Sequence, residues 1–249
     1  LGHPSWGNNN QGRTMKILNA TASILAAITA VGLSTTAMSA PVTHERLLNA
    51  DREPANWISV FQNYSSHRYS RLSQINRTNV GSLRALFTVP LTSGLQAGKN
   101  AGIQSAPLVD DGMMFVGDGW GTLQKIDVRS GAQGVVLWRT DPAVSTDESP
   151  RDRGLAFWGN NVYSDLIDGR VISVNRDSGE ITWDEQVART GVGTEWDFYG
   201  KEQFTAAPLA AEGKILVGQS FGDAATRGWL AALDPDTGEE LWRWYSIPA

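Results

Sequence analysis

Three stretches of the 249-residue sequence carry one pattern, and they decide the fold. They read KIDVRSG at 125–131 with Leu137-Trp138 after it, SVNRDSGEITW at 173–183, and ALDPDTGEELW at 232–242. The shared core is Asp/Asn-x-x-Ser/Thr-Gly, and a tryptophan follows each glycine after a short interval. In this core the polar side chains can bond nearby backbone N–H groups, and the glycine adopts a positive φ cheaply, so the pattern predicts a tight turn. The three tryptophans are 45 and 59 residues apart, a repeat length typical of four-stranded propeller blades with insertions.

Strand patterns surround each copy of the turn. An alternating run such as RVISV at 170–174 precedes the turn, and we expect the tryptophan to begin the outer strand, where its ring packs between neighbouring blades. Three segments, 105–127, 153–175, and 205–223 continued by 227–234, each supply a strand, a Gly- or Asn-bearing turn and further strands. A β-sandwich with Trp-ended hairpins is the alternative, but three copies in register favour an all-β propeller. We predict about three blades in residues 81–249, preceded by a lead-in segment at 41–80.

The ends of the chain carry two further expectations. Three blades cannot close a ring, and open blades leave exposed sheet edges, so we expect this sequence to be the N-terminal piece of a longer protein. At the other end, residues 1–14 carry no periodic pattern, and we interpret them as a non-native leader upstream of the true start at Met15. Residues 15–40 have the basic start, apolar core and small residues of a secretory signal peptide, which predicts export to the periplasm. The alternative of a membrane anchor is disfavoured, because the apolar core at 24–33 is too short to span a bilayer.

Composition excludes several classes of function. Lys plus Arg is 21 and Asp plus Glu is 26, a net charge of −5, which argues against a general basic footprint for nucleic acid. Cysteine is absent. The absence of cysteine excludes disulfides, thiolate catalysis and Cys-ligated zinc or iron–sulfur sites.

The repeat resembles the tryptophan docking motif of the eight-bladed quinoprotein alcohol dehydrogenases, which use pyrroloquinoline quinone (PQQ). Other segments match that family in the same order: RYSRLSQI at 68–75, APLV at 106–109, and RGLAFW at 153–158 against the family pattern Asn-Arg-Gly-x-Ala-Tyr/Trp. The resemblance runs from about Asn56 to Ala249. It implies an eight-bladed propeller in the intact protein, with PQQ on the propeller axis beside a calcium or lanthanide ion.

The resemblance also implies roles for individual residues. Cofactor contacts fall at five positions, namely Gln104 at the quinone, Arg153 near the ring, Thr205 at a cofactor carboxylate, and Ser220 and Gly222 in the adjoining loop. Asp223 aligns with the acidic metal ligand. These residue types suit the chemistry, because Arg and hydroxyl donors pair with carboxylates and a hard cation prefers carboxylate oxygen. Each also has a simpler interpretation: Arg153 as a surface ion pair, Thr205 as a strand hydroxyl, and Asp223 as a solvated turn residue.

The function implied by the resemblance is oxidation of an alcohol, or a related alcohol or aldehyde, by hydride transfer to a metal-polarised quinone, with electrons passing to a periplasmic acceptor such as a cytochrome c. The general base is expected beyond Ala249. Asp147-Glu148 stands where better-known members have adjacent cysteines, so the chain resembles the branch without that pair. The alternative is a non-enzymatic propeller of similar repeats that acts as a scaffold or assembly protein. A lipoprotein of that kind needs an acylated cysteine, which this chain lacks.

Overall fold

The computed structural model describes residues 39–91, 102–144, 151–188, 202–220, 222 and 226–248. The helical elements in this part of the chain include α1 (His44–Leu48) and two 3-10 turns, Ala50–Arg52 and Val80–Ser82. No helix among these residues is long and apolar enough to cross a membrane. The strands are β1 (Gly102–Ala106), β2 (Leu108–Asp110), β3 (Met113–Gly117), β4 (Leu123–Asp127), β5 (Val135–Thr140), β6 (Arg151–Gly154), β7 (Ala156–Trp158), β8 (Asn161–Asp165), β9 (Arg170–Asn175), β10 (Ile181–Gln186), β11 (Leu209–Ala211), β12 (Lys214–Gly218), β13 (Trp229–Leu233) and β14 (Glu240–Tyr245).

Twelve of these strands form three antiparallel four-stranded sheets, each in sequence order. Blade 1 is β2–β5, blade 2 is β7–β10 and blade 3 is β11–β14. The first strands of blades 1 and 3 turn into the second through Asp111-Gly112 and Glu212-Gly213, where both residues have positive φ, as in type I′ hairpins. The prediction of an all-β propeller with three blades in the present sequence is confirmed.

The repeated turn forms as the sequence predicts. In blade 2 the Asn175 side chain accepts bonds from the backbone N–H groups of Asp177 and Ser178, both at 2.9 Å. In blade 3 the Asp234 side chain accepts from Asp236 and Thr237 in the same way. The glycines that end these two turns have a φ of +77°, a conformation that costs glycine little.

The repeated tryptophans join one blade to the next. Trp138 lies over Gly179, where an added Cβ would come within 2.7 Å of its ring, and Trp183 lies over Gly238 in the same way at 2.8 Å. In the described part of the chain Trp242 is 41% exposed. The expectation that each tryptophan begins the outer strand is wrong by two or three residues: β5, β10 and β14 all start earlier, because a register shift just after the turn lets pairing begin before the ring.

The lead-in segment crosses the inner strands of all three blades. Val42 pairs with Gly159 of blade 2, Trp57 pairs with Val109 of blade 1, and the Tyr64 hydroxyl donates to the Ala210 carbonyl of blade 3 at 2.7 Å. An ion network fastens the segment to the first two blades. Arg46 Nη2 lies 2.8 Å from Asp110 Oδ1, and the same carboxylate pairs with Arg176, whose side chain is only 1% exposed.

Residues 1–38 lie outside the described residues, and so does most of the predicted signal peptide.

Candidate functional site

The site is built around two short strands that precede the blades. β1 and β6 pair in parallel, with Ile103 opposite Asp152 and Ala106 opposite Gly154. Between these pairs two residues of β1, Gln104 and Ser105, face one residue of β6, so the pair contains a bulge. Arg153 is the β6 residue at this bulge. The bulge therefore brings Gln104 and Arg153, two of the predicted cofactor contacts, to one place.

Arg153 reaches from β6 to the start of blade 3. Its Nη1 donates to the Thr205 backbone carbonyl at 2.8 Å and to Thr205 Oγ1 at 2.6 Å. Thr205 Oγ1 in turn lies 3.0 Å from Ser220 Oγ, and the Ser220 N–H donates to the Gln203 carbonyl at 2.8 Å. Three of the predicted cofactor residues thus form one chain of donors. The interpretation of Arg153 as a surface ion pair finds no support among the described residues, since its partner is a threonine and not an acid.

A cavity of about 920 Å³ lies between the lead-in segment and the inner strands of the three blades. Its lining is mostly apolar, from residues such as Trp57, Phe61 and Leu155, and its polar groups include Gln104 and Arg153. A concave, largely apolar space with a few convergent polar groups is the usual form of a small-molecule site. Gln104 and Arg153 therefore face a space large enough for a ligand of cofactor size.

These residues fit an anionic aromatic cofactor. A guanidinium and two hydroxyls are hydrogen-bond donors suited to carboxylates, and apolar walls suit a flat ring system. Gly222 has open space around its Cβ position. The predicted metal ligand Asp223 lies outside the described residues. Within those residues, no group of three or more His, Asp or Glu side chains could hold a metal ion.

Two buried carboxylates lie next to this site, and the sequence prediction missed both. Asp152 and Asp165 are each 3% exposed. The pKa of Asp152 is raised to about 7, chiefly by burial and also by the nearby Asp118 carboxylate, while the Gly154 N–H bond and the neighbouring Ser105 hydroxyl act in the opposite direction. Burial also raises the pKa of Asp165 well above its ordinary range, and the charge of Asp152 adds to the effect.

Signals for these two acids were present in the sequence. Asp152 stands where the family pattern has asparagine before Arg-Gly. Asp165 pairs with Val171 at the end of the second blade strand, where Gly117 pairs with Leu123 in blade 1 and Gly218 with Leu230 in blade 3. An acid at a position that is glycine in the other two blades is the signal that a comparison of the repeats reveals.

The fold and site define a class: a propeller whose blades are joined by tryptophans and whose inner strands carry a donor set for an anionic cofactor. Residues 57–249 match the family of PQQ proteins described as glucose/ethanol/alcohol dehydrogenase, β-propeller domain. The chain belongs to that family.

Named relatives agree with this assignment. The chain is 31% identical over 214 residues to the dehydrogenase subunit of a quinone alcohol dehydrogenase from Gluconacetobacter polyoxogenes, covering 83% of this chain and 27% of the relative. It is 32% identical to a quinohemoprotein alcohol dehydrogenase from Comamonas testosteroni over 80% of this chain and 27% of the relative. The chain thus spans about a quarter of the length of these curated relatives.

Solved structures show the same similarity. Quinohemoprotein alcohol dehydrogenase ADHIIG from Pseudomonas putida HK5 matches with a TM-score of 0.72 at 28% identity, over 85% of this chain and 29% of that one. A europium-containing methanol dehydrogenase matches with a TM-score of 0.67 at 27% identity, over 82% of this chain and 34% of that one.

Proposed function

We propose that the full-length protein is a periplasmic PQQ-dependent dehydrogenase that oxidises an alcohol, or a related alcohol or aldehyde. The observation that carries the proposal is the continuous donor set Arg153–Thr205–Ser220 beside a cavity of cofactor size. Relatives named as quinone and quinohemoprotein alcohol dehydrogenases support the reaction class.

Each described residue has a part in holding the cofactor. Arg153 binds a carboxylate through guanidinium N–H groups, Thr205 and Ser220 donate hydroxyl hydrogen bonds, and Gln104 orients the ring from β1. When bound, PQQ would supply the two-electron acceptor for the substrate hydride, and Asp223 would be the ligand that this chain offers to a cation beside it. The cation is calcium or a lanthanide, and the electrons pass to a periplasmic acceptor such as a cytochrome c. The apolar cavity wall excludes water from the reacting carbon.

The test uses the full-length protein supplied with PQQ and calcium. Binding is followed by quenching of tryptophan fluorescence, and activity by dye-linked oxidation of a primary alcohol. We expect Arg153→Gln and Thr205→Val to weaken PQQ binding on the order of tenfold or more, because each removes a donor to a buried carboxylate. We expect Asp223→Ala to abolish activity while the fold is retained.

Arg139→Gln is the matched control for Arg153→Gln, because Arg139 is 42% exposed on the outer strand of blade 1. It should bind PQQ as the wild type does. Absence of PQQ binding in the wild-type protein would reject the enzyme and favour the non-enzymatic propeller. Unchanged binding in both site variants would reject the proposed donor set.

A further inference from the structure

Asp152 lies directly behind the predicted cofactor contact Arg153. The burial of β6 alternates, with Arg151 and Arg153 exposed and Asp152 and Gly154 buried. Side chains of neighbouring strand residues point to opposite faces. Arg153 therefore projects towards the cavity, while the Asp152 carboxylate is buried between blades 1 and 2.

The two oxygens of Asp152 have different surroundings. Oδ1 accepts a hydrogen bond from the Gly154 N–H at 2.8 Å. Oδ2 is buried and has no hydrogen-bond partner among the described residues. It lies over Gly117, where an added Cβ would come within 2.0 Å of Oδ2. Gly117 thus makes room for this carboxylate oxygen.

The bond from Gly154 connects Asp152 to the position of Arg153. Gly154 has a φ of +145°, and an added Cβ there would lie 3.0 Å from Val60 and 3.3 Å from Ala207. Ala207 follows Thr205, the hydrogen-bond partner of Arg153, by two residues. Asp152 Oδ1 therefore holds the backbone turn that sets the direction of the Arg153 side chain.

The charged groups around Asp152 are mostly acidic. Asp118, at the end of β3, faces it from blade 1, and Asp165, at the end of β8, faces it from blade 2. The paired strand β1 contributes only the hydroxyl of Ser105. Both oxygens of Asp165 are buried without a partner in the described part of the chain. Arg151 and Arg153 lie on the opposite face of β6. No cation among the described residues therefore lies beside ionised Asp152 on its own face.

We propose that Asp152 is a titratable positioning residue, which orients Arg153 through Gly154 and, when ionised, weakens the binding of an anionic cofactor at Arg153. The proposal rests on the proposed function, since the anion is PQQ, a tricarboxylate. The protonated acid keeps the Gly154 bond and adds no charge. The ionised acid keeps that bond but places a negative charge one residue from the guanidinium that binds the anion. This charge repels the anionic ligand and lowers its affinity.

A unit charge about 10 Å from the ligand, at an effective dielectric near 20, changes affinity on the order of tenfold. The experiment measures PQQ binding to the full-length protein by fluorescence quenching, in calcium buffer, at about pH 6 and about pH 8. The key variant is Asp152→Asn, which keeps an oxygen for the Gly154 N–H but cannot ionise. Asp141→Asn is the matched control, because this substitution removes the same charge at a side chain that is 46% exposed.

The wild type and the Asp141→Asn variant should bind PQQ on the order of tenfold more weakly at the higher pH. The Asp152→Asn variant should bind tightly at both. Asp152→Ala, which also loses the Gly154 bond, should bind weakly at both. The same pH dependence in the wild type and Asp152→Asn would overturn the role of Asp152 while leaving PQQ binding established. No PQQ binding at either pH would overturn the proposed function, and this inference with it.

Discussion

The interface between blades 1 and 2 and the interface between blades 2 and 3 each contain the repeated tryptophan bonded to a backbone carbonyl. They differ in the second group that donates a hydrogen bond to that carbonyl. Trp138 Nε1 donates to the Arg176 carbonyl at 3.1 Å, and Trp183 Nε1 donates to the Pro235 carbonyl at 2.8 Å. In each turn the acceptor is the residue after the Asp or Asn. The tryptophan and its target carbonyl are thus the constant part of the junction.

The second donor to each carbonyl comes from a different strand. Lys125 Nζ on β4 donates to the Arg176 carbonyl at 2.9 Å, while the Tyr163 hydroxyl on β8 donates to the Pro235 carbonyl at 3.0 Å. A carbonyl has two lone pairs, so both arrangements satisfy it. The register pairs Phe115 with Lys125 in blade 1 and Tyr163 with Ser173 in blade 2. In blade 1 the second donor therefore lies on the third strand and its partner on the second strand is a phenylalanine. In blade 2 the second donor lies on the second strand instead, at the position that corresponds to Phe115.

At the interface between blades 1 and 2, where the second donor is the charged Lys125, further ions lie close by. Lys125 lies 3.4 Å from Asp177, and Arg176 is buried against Asp110 with its guanidinium 4.3 Å from the Phe157 ring. Asp152 lies in the same interface, over Gly117. In the described part of the chain, the junction of Tyr163 and Trp183 with Pro235 includes no ion pair of this kind, although the Asp234 and Asp236 carboxylates lie near the Tyr163 hydroxyl. Ionisable groups therefore make the first interface more sensitive to substitution and to pH than the second.

Arg176→Met should give the largest effect. It removes one partner of a buried ion pair and leaves the Asp110 carboxylate with only Arg46, which costs about 3–5 kcal/mol of unfolding free energy. Urea unfolding of the full-length protein measures the loss. Adding Asp110→Asn should recover part of it, because no uncompensated carboxylate then remains. Arg129→Met, at a cation that is 63% exposed in the turn of blade 1, should change little. A stable Arg176→Met protein would show that the ion network does not hold this interface.

Asp152→Asn should stabilise the protein in a pH-dependent way. The pKa of Asp152 is about 7 in the folded protein, against an ordinary value of 3.8. Between these values the unfolded chain releases a proton that the folded protein keeps, so wild-type stability falls as pH rises through this window. The asparagine variant escapes this loss. It should gain roughly 3–4 kcal/mol over the wild type above pH 7, and this gain should vanish below pH 4.

Chemical unfolding at several pH values measures this difference without any cofactor. Asp141→Asn supplies the control and should track the wild type throughout. A constant difference between Asp152→Asn and the wild type across the pH range would contradict the raised pKa.

The local features of the fold could be predicted from the sequence, because their causes are local. The turn at Asn175 forms through its own side chain and a following glycine, both visible in eleven letters of sequence. Trp183 could be assigned to the blade junction because a tryptophan follows each of the three turns. The family resemblance selected Arg153, Thr205 and Ser220, and the structure brings these three together. Their role in binding the cofactor remains a prediction.

Features that depend on distant parts of the chain could not be predicted. Asp110 and Arg176 are 66 residues apart, and no pattern in either segment indicates that they pair. The raised pKa of Asp152 arises from burial between blades and from carboxylates on two other strands. The exchange of donors between Lys125 and Tyr163 became visible only when the register aligned the blades.

The smallest effect concerns that exchange. Tyr163→Phe removes one neutral hydrogen bond but leaves Trp183 on the Pro235 carbonyl, so it should cost about 1 kcal/mol of unfolding free energy. At the first interface, Lys125→Met removes the corresponding donor. Phe115 occupies the position of Tyr163 and lies at a similar distance from its tryptophan. The ring centroids are 5.9 Å apart for Phe115 and Trp138 and 5.8 Å apart for Tyr163 and Trp183.

Phe115→Tyr added to Lys125→Met should therefore direct a hydroxyl at the Arg176 carbonyl and restore about 1 kcal/mol, as judged by urea unfolding of the full-length protein. Phe115→Tyr in the wild-type background is the control. There the carbonyl already has Trp138 and Lys125, so the new hydroxyl finds no free lone pair and its burial is unfavourable. A tyrosine that stabilised both backgrounds equally would act through packing alone. A rescue confined to the Lys125→Met background would establish that each junction needs two donors on one carbonyl and that either strand can supply the second.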